Sequence, residues 1–192
     1  MWLYTGLFIT AHDAMHGVLC RRWPTLNHGL GHICTLLYAL MWYPALKKAH
    51  HRHHAYAGTD RDPDFDAPGD GSMWKWFYSF FKNYMTLRQF SMLIVTSWVF
   101  LALGIPLMNL FVFWLLPSVA STFQLFFVGT WLPHRSGRDL SAPHRARSLN
   151  VSEFWSLLAC FHFGYHLEHH QHPDVPWWRL PTVRRTRVDA TG

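Results

Sequence analysis

From Gln89 to Pro133 the chain carries no Asp, Glu, Lys or Arg, a run of 45 residues. A bilayer-spanning helix needs about 20 apolar residues, so this run is long enough for two spans and a turn. Gly104-Ile105-Pro106-Leu107-Met108-Asn109 supplies the turn residues near its middle. The pattern predicts a helical hairpin, Arg88–Gly104 and Pro106–Trp131, with Pro117 kinking the second arm. A pair of buried helices in a soluble protein is the plain alternative, and a charge-free run this long argues against it. The fold class read from it is all-α, an integral membrane helical protein.

Composition agrees. Half of the residues are hydrophobic, 17% are aromatic and 15% are charged, whereas soluble domains carry about a quarter charged residues. The formal net charge of +6 does not point to nucleic acid. The basic residues flank the apolar segments (Lys47, Lys48, Arg52; Arg135, Arg138, Arg145, Arg147; Arg179, Arg184, Arg185, Arg187), as cytoplasmic loops do, and no nucleic-acid motif accompanies them. Cys20, Cys34 and Cys160 have no CxxC spacing and are odd in number, so they read as reduced structural thiols.

The fifteen histidines are unevenly placed, and eight fall in three clusters. These are His12 and His16; His50, His53 and His54; and His166, His169 and His170. Spacings of three and four residues return helix side chains to one face. Three convergent clusters hold more nitrogen donors than one tetrahedral metal uses. The set therefore predicts two metal ions in a histidine cage. His134, where the second hairpin arm leaves the membrane, is a candidate ninth ligand. His28, His32, His51, His144 and His172 read as ordinary polar or surface residues. Neutral imidazole suits iron, zinc, copper and nickel alike, so ligand type does not choose the metal.

Clusters that share metals must lie on one side of the membrane, so an even number of crossings separates them. The hairpin supplies two between His54 and His166. Between His16 and His50 lies one apolar stretch, Gly29–Leu46, of about 18 residues, too short to cross twice. It is expected not to cross at all. Met1–Ala11 is apolar but covers only about half of a bilayer core, so the chain is expected to start inside a membrane helix. Ser72–Met85 mixes aromatics with two lysines, as an interfacial helix does. Asn150 and Glu153 form a capping-box pattern for one helix running to Pro173, with His162, His166, His169 and His170 on one face. Pro173–Gly192 reads as an irregular cytoplasmic tail.

Metal-bound histidines usually donate their other ring N–H to a carboxylate or carbonyl. Asp13 and Glu168, inside clusters, and the run Asp60, Asp62, Asp64 and Asp66 offer such acceptors, Asp62 foremost; a solvated turn is the alternative for the run. His162 is read as an outer partner of the third cluster. Trp42, Tyr43, Trp74, Trp76, Phe77, Tyr78, Phe80 and Phe81 read as an interfacial belt before a substrate channel.

The stretches LFITAHDAMHG (7–17), HHRHHAYAGTDRDPDF (50–65), QLFFVGTWLPHR (124–135), FHFGYHLEHH (161–170) and HPDVPWWRLP (172–181) resemble the bacterial-type β-carotene ketolases. That family belongs to the membrane fatty acid desaturase and hydroxylase superfamily. The histidine boxes mark the superfamily; DPDF, GTWLPHR and PWWRLP narrow it. The resemblance implies a single desaturase-like membrane domain in the bacterial inner membrane, with its histidine-box di-iron site facing the cytoplasm. Family members carry a further region and helix ahead of the first box, so residues 1–192 are expected to be truncated at the N-terminus.

The implied activity is O2-dependent oxidation of the C4 and C4′ methylenes of β-ionone rings to ketones. β-Carotene would pass through echinenone to canthaxanthin, and zeaxanthin would lead toward astaxanthin. The implied iron ligands are His12, His16, His50, His53, His54, His166, His169 and His170, with His134 matching an extra superfamily histidine. The resemblance also implies two Fe ions, O2 as co-substrate, a carotenoid drawn from the lipid membrane, and electrons from an external ferredoxin-type protein. A fatty acyl or sterol desaturase or hydroxylase is the nearest alternative. A zinc-dependent membrane hydrolase would need only three or four of these histidines. A metal transporter would place ionisable groups inside its spans, and Gln89–Pro133 has none.

Overall fold

The computed structural model describes residues 1–65, 72–135 and 140–191, with side chains in the last helix to Arg187. Asp66 and Arg138, singled out above, lie outside the described residues. Every regular element described is helical. Helices α1 (Trp2–Met15) and α2 (Pro24–Ala39) lie side by side. Pro24 opens α2, where its missing N–H would have had no partner. Gly31 permits the close approach: a Cβ there would sit 2.4 Å from the Tyr43 ring and 3.0 Å from the Ala14 Cβ. Leu40 ends α2 in left-handed backbone, φ 54°, and α3 (Tyr43–Tyr56) leaves at 99° to it. Helix α2 leads away from His16 and α3 leads back, setting His50 Nε2 2.7 Å from His16 Nε2. The stretch Gly29–Leu46 thus turns through about a right angle; neither of its helices is long and apolar enough to span alone, while the bent pair together is, as a broken span or a re-entrant loop would be.

Helix α4 (Met73–Tyr84) meets α5 (Leu87–Ala102) at 80°. It buries Trp76 on one face and exposes Trp74 and Tyr78 on the other, the two-sided pattern of a helix lying along an interface. Thr86 caps α5 by accepting the Gln89 N–H at 3.1 Å. Residues 103–106, with Gly104 at φ 84°, turn the chain into α6 (Leu107–His134). Among the described residues α6 is the one helix that is long and apolar enough by itself to cross a membrane. The 16 residues of α5 rise ~24 Å, short of a hydrocarbon core of about 30 Å. Phe100 meets Trp114 edge-on, ring centroids 5.4 Å apart, across the two arms.

The kink expected at Pro117 takes the form of a π turn, Phe111–Leu115, two residues ahead of it; a second π turn, Phe127–Trp131, precedes Pro133 by the same offset. The wider turn relieves the clash between each proline ring and the carbonyl four residues back. The Tyr4 hydroxyl donates to the Phe113 carbonyl at 3.3 Å, which Pro117 cannot serve. Below it Thr5 Oγ1 donates to Gln124 Oε1 at 2.6 Å, and Gln124 Nε2 donates to the Ala159 carbonyl at 2.6 Å. Ile9, Tyr38, Leu125, Val128, Cys160, Phe161 and Phe163 form the apolar core around this lock.

Two expectations fail in the last third. The single helix from Asn150 to Pro173 is two, α7 (Glu153–Cys160) and α8 (His166–Gln171). Phe161 and His162 adopt left-handed backbone, φ 48° and 61°, and the Phe161 ring stacks on Trp2 at 4.2 Å. Packing against α1 therefore overrides the helical period. Ser152 rather than Asn150 is the N-cap, and Glu153 pairs with Arg185 instead of closing a capping box. The tail is not irregular either: α9 (Leu180–Thr191) docks on α8. Its Arg184 and Arg187 reach the buried Glu168 carboxylate at 3.2 and 2.7 Å, which fixes the segment against the fold.

Candidate metal centre

The three clusters and His134 converge, and they sort into two groups. His12, His16, His50, His54 and His169 form one; His53, His134, His166 and His170 form the other. Within each group the candidate ligand atoms lie within 4.8 Å of one another. Helix α3 feeds both, His50 and His54 to the first and His53 to the second. So does α8, with His169 on one side and His166 and His170 on the other. This division follows from helical geometry, since residues three and four apart point to neighbouring directions.

Hydrogen bonding alone does not account for the packing. The Nε2 atoms of His16, His50, His54, His169 and His12 are linked in sequence by contacts of 2.7, 3.1, 2.9 and 3.1 Å. A neutral imidazole nitrogen donates once or accepts once, so at most two of these four contacts are hydrogen bonds. His170 Nε2 likewise lies 3.1 Å from His53 Nε2 and 3.0 Å from His166 Nε2. His134 Nδ1 donates to the Arg145 carbonyl at 2.8 Å, which leaves its Nε2 a bare lone pair, buried and without a partner. Crowded lone pairs repel one another unless a cation sits among them, and the donor set is compatible with two metal ions. Burial, and then the neighbouring imidazoles, hold the pKa values of His166, His169 and His170 well below the ordinary histidine value, so all three are neutral, as ligands must be.

The acids divide. Asp62 faces His53 Nδ1 with both oxygens, at 2.9 and 3.0 Å, and is itself held by the Gly58 and Asp64 N–H groups. Asp13 lies 3.4 Å from His12 Nδ1 while its other oxygen accepts the Trp177 N–H. Glu168 touches no candidate ligand imidazole; it takes the Ser148 hydroxyl and the α9 arginines. His162 belongs to neither group, and its ring stacks on Tyr165 at 5.8 Å. His28, His32, His51, His144 and His172 also stay outside both groups. His28 bonds the Tyr43 hydroxyl and His51 the Met15 carbonyl.

A cavity of about 1000 Å³ opens from the histidines and follows α5 and α6 to Leu107 and Met108 at the start of α6. Phe80 and Phe81 line it, whereas Trp42, Trp74 and Tyr78 are exposed, so the aromatics split between channel and belt. Sequence reasoning missed two of its determinants and the partner of a third. Phe163 packs edge-on to His12 at 4.8 Å and His166 at 5.3 Å, touching both groups. Gly129 makes room for it: a Cβ there would lie 2.4 Å from the Phe163 ring. Gly129→Ala is expected to displace that ring and cost about 1–3 kcal/mol, read as a lowered melting temperature in detergent. The third determinant is Asp64, whose carboxyl, pushed up to about 6 by burial, accepts the Tyr84 hydroxyl and lines the same cavity. The DPD pattern contained Asp64, but nothing in the sequence paired it with a tyrosine twenty residues on.

The family profile described as fatty acid desaturase matches residues 1–93 and 86–191. A β-carotene ketolase of Paracoccus sp. (strain PC1) is 48% identical over 189 residues, covering 96% of this chain and 76% of the relative. A β-carotene ketolase of Haematococcus lacustris is 44% identical over 191 residues, covering 96% of this chain and 59% of its own. A zeaxanthin 4-ketolase of Chlamydomonas reinhardtii is 42% identical over 188 residues, 96% of this chain and 42% of that protein. No solved structure matches the chain. With the profile matched across the chain and such identity to several ketolases, the chain belongs to the fatty acid desaturase family and, within it, to the β-carotene ketolases.

Proposed function

We propose that this protein is an O2-dependent di-iron carotenoid 4-ketolase that oxidises the C4 methylene of a β-ionone ring to a ketone. The observation that carries the reading is the pair of histidine groups opening onto a long apolar cavity, in a chain related to ketolases throughout. His12, His16, His50, His54 and His169 would hold one iron, and His53, His134, His166 and His170 the other. The irons would supply the oxidant that an unactivated hydrocarbon demands. The chain's own part is to position and to exclude water. The arms α5 and α6 wall a cavity without Lys or Arg, suited to a rod-shaped hydrocarbon entering from lipid. Phe163 stops the ring end beside both histidine groups. Asp62 fixes the His53 tautomer so that Nε2 faces inward. With α5 and α6 crossing as a hairpin and α2–α3 entering without crossing, the centre would lie at one membrane face, and the arginines and lysines beside the apolar segments favour the cytoplasmic one. Electrons come from an external one-electron carrier.

Asp62→Asn is expected to lower iron affinity about 10–100-fold, read as iron per polypeptide at limiting metal. The reading as a whole is tested by metal analysis of purified protein beside pigment analysis of a β-carotene-producing host. Two irons per chain with echinenone and canthaxanthin support it. Zinc in place of iron, or altered lipid unsaturation without ketocarotenoids, overturns it.

A further inference from the structure

Asp64 and Tyr84 form a polar spot in the metal end of a largely apolar cavity. Among the residues lining that cavity Asp64 is the one carboxylate. Asp62 takes up His53 Nδ1 at 2.9 Å, so Asp64, at 3.8 Å from the same nitrogen, is beyond hydrogen-bond range of it. Its Oδ1 accepts the Tyr84 hydroxyl, and its Oδ2 accepts no hydrogen bond among the described residues. The Tyr84 oxygen, having donated its proton to Asp64, keeps its acceptor capacity. The pair is held in place: the Asp64 carbonyl accepts the Trp76 indole N–H at 2.7 Å, and Phe80 packs on the Tyr84 ring at 4.9 Å. A hydrocarbon ring offers nothing to these acceptors. An alcohol does, because its O–H can donate to Asp64 Oδ2 or to the phenol oxygen.

Resting on the ketolase reading, we propose that Asp64 and Tyr84 are the receptor for a ring hydroxyl, specifically the alcohol that the first oxidation leaves on the reacting carbon. A ketone at that carbon requires two oxidations of the same methylene, and the alcohol between them is a small polar group inside an apolar channel. A hydrogen bond to a fixed, buried carboxylate keeps the alcohol at the centre for its second oxidation. Without it the intermediate slides back along the channel and leaves as the hydroxylated carotenoid. Asp64 and Tyr84 are thus positioning residues that decide how far oxidation proceeds.

The test uses the wild-type chain, Asp64→Asn, Tyr84→Phe and, as control, Tyr78→Phe, exposed on the same helix. Each is expressed in a β-carotene-producing host, and three quantities are read: the ratio of 4-hydroxy to 4-keto pigment, iron per polypeptide, and binding of 4-hydroxylated carotenoid against β-carotene to purified protein. Expected is a rise of about tenfold in the hydroxy-to-keto ratio for Asp64→Asn and Tyr84→Phe, with iron content held. The wild type should also prefer the alcohol over the hydrocarbon in binding, and Tyr84→Phe should lose that preference. A fall in total pigment at constant ratio, or a fall in iron with no change in ratio, overturns the proposal and leaves Asp64 as support for His53. If the wild type makes no ketone the ketolase reading fails on its own, while the binding comparison still decides whether the pair receives a hydroxyl.

Discussion

His170→Ala is expected to abolish ketone formation, by more than about 100-fold, and to leave at most one iron per chain. His170 Nε2 lies 3.1 Å from His53 Nε2 and 3.0 Å from His166 Nε2, so its loss opens the smaller group from four imidazoles to three. Even outer partners of metal ligands cost 10–100-fold when removed, and a ligand in a two-metal site costs more because both metals act on one substrate. The same substitution at His32, outside both groups, is expected to leave iron content and pigment unchanged. Iron analysis and pigment profiles measure both. Two irons retained in His170→Ala would remove the second group from the metal site. A zinc hydrolase served by one group would tolerate the substitution, so the experiment also separates the enzyme classes.

The second large effect is expected at Glu168, through stability. Its side chain is fully buried, and it holds Ser148, Arg184 and Arg187 together. Removing one partner of a buried ion pair leaves the other charge uncompensated, at a cost of about 3–5 kcal/mol. Glu168→Ala strands the Arg184 guanidinium, whose side chain is 15% exposed, and frees α9 from α8. Because α8 carries His166, His169 and His170, iron loading should fall together with melting temperature. Glu168→Gln keeps the shape and part of the hydrogen bonding, and is expected to fall between. A melt in detergent unchanged by Glu168→Ala would show that the arginines find equivalent partners elsewhere.

Much of this centre was legible in the sequence because its grammar is local. Spacings of three and four residues declare which imidazoles share a helix face, so eight histidines could be named as a set before any fold was known, and the isolated His134 was added from its place at the end of the second arm. The helix–turn–helix over the charge-free run was legible for the same reason. What escaped depends on partners distant in sequence. The break at Phe161 and His162 is imposed by Trp2, some 160 residues away, against a periodic pattern that favours one helix. Glu168 looked like a histidine's acceptor because it sits between two of them, yet its oxygens face the other way, toward a tail that read as irregular. The Asp64–Tyr84 pair was hidden likewise, since periodicity reports faces of one helix and says nothing about where a loop carboxylate meets the next helix.

The two π turns of α6 carry a consequence of their own. Each holds one residue more than a regular α-helical path would, and one residue rotates everything beyond it by about 100°. Deleting a residue within Phe127–Trp131 would restore the α-helical pitch of the rod yet swing His134 off His53 and His166. The same deletion within Phe111–Leu115 would leave His134 among its neighbours and instead re-aim the far wall around Leu107 and Met108. The rod therefore has two independent phase settings, one governing chemistry at the histidine end and the other the length of guest that the opposite end admits.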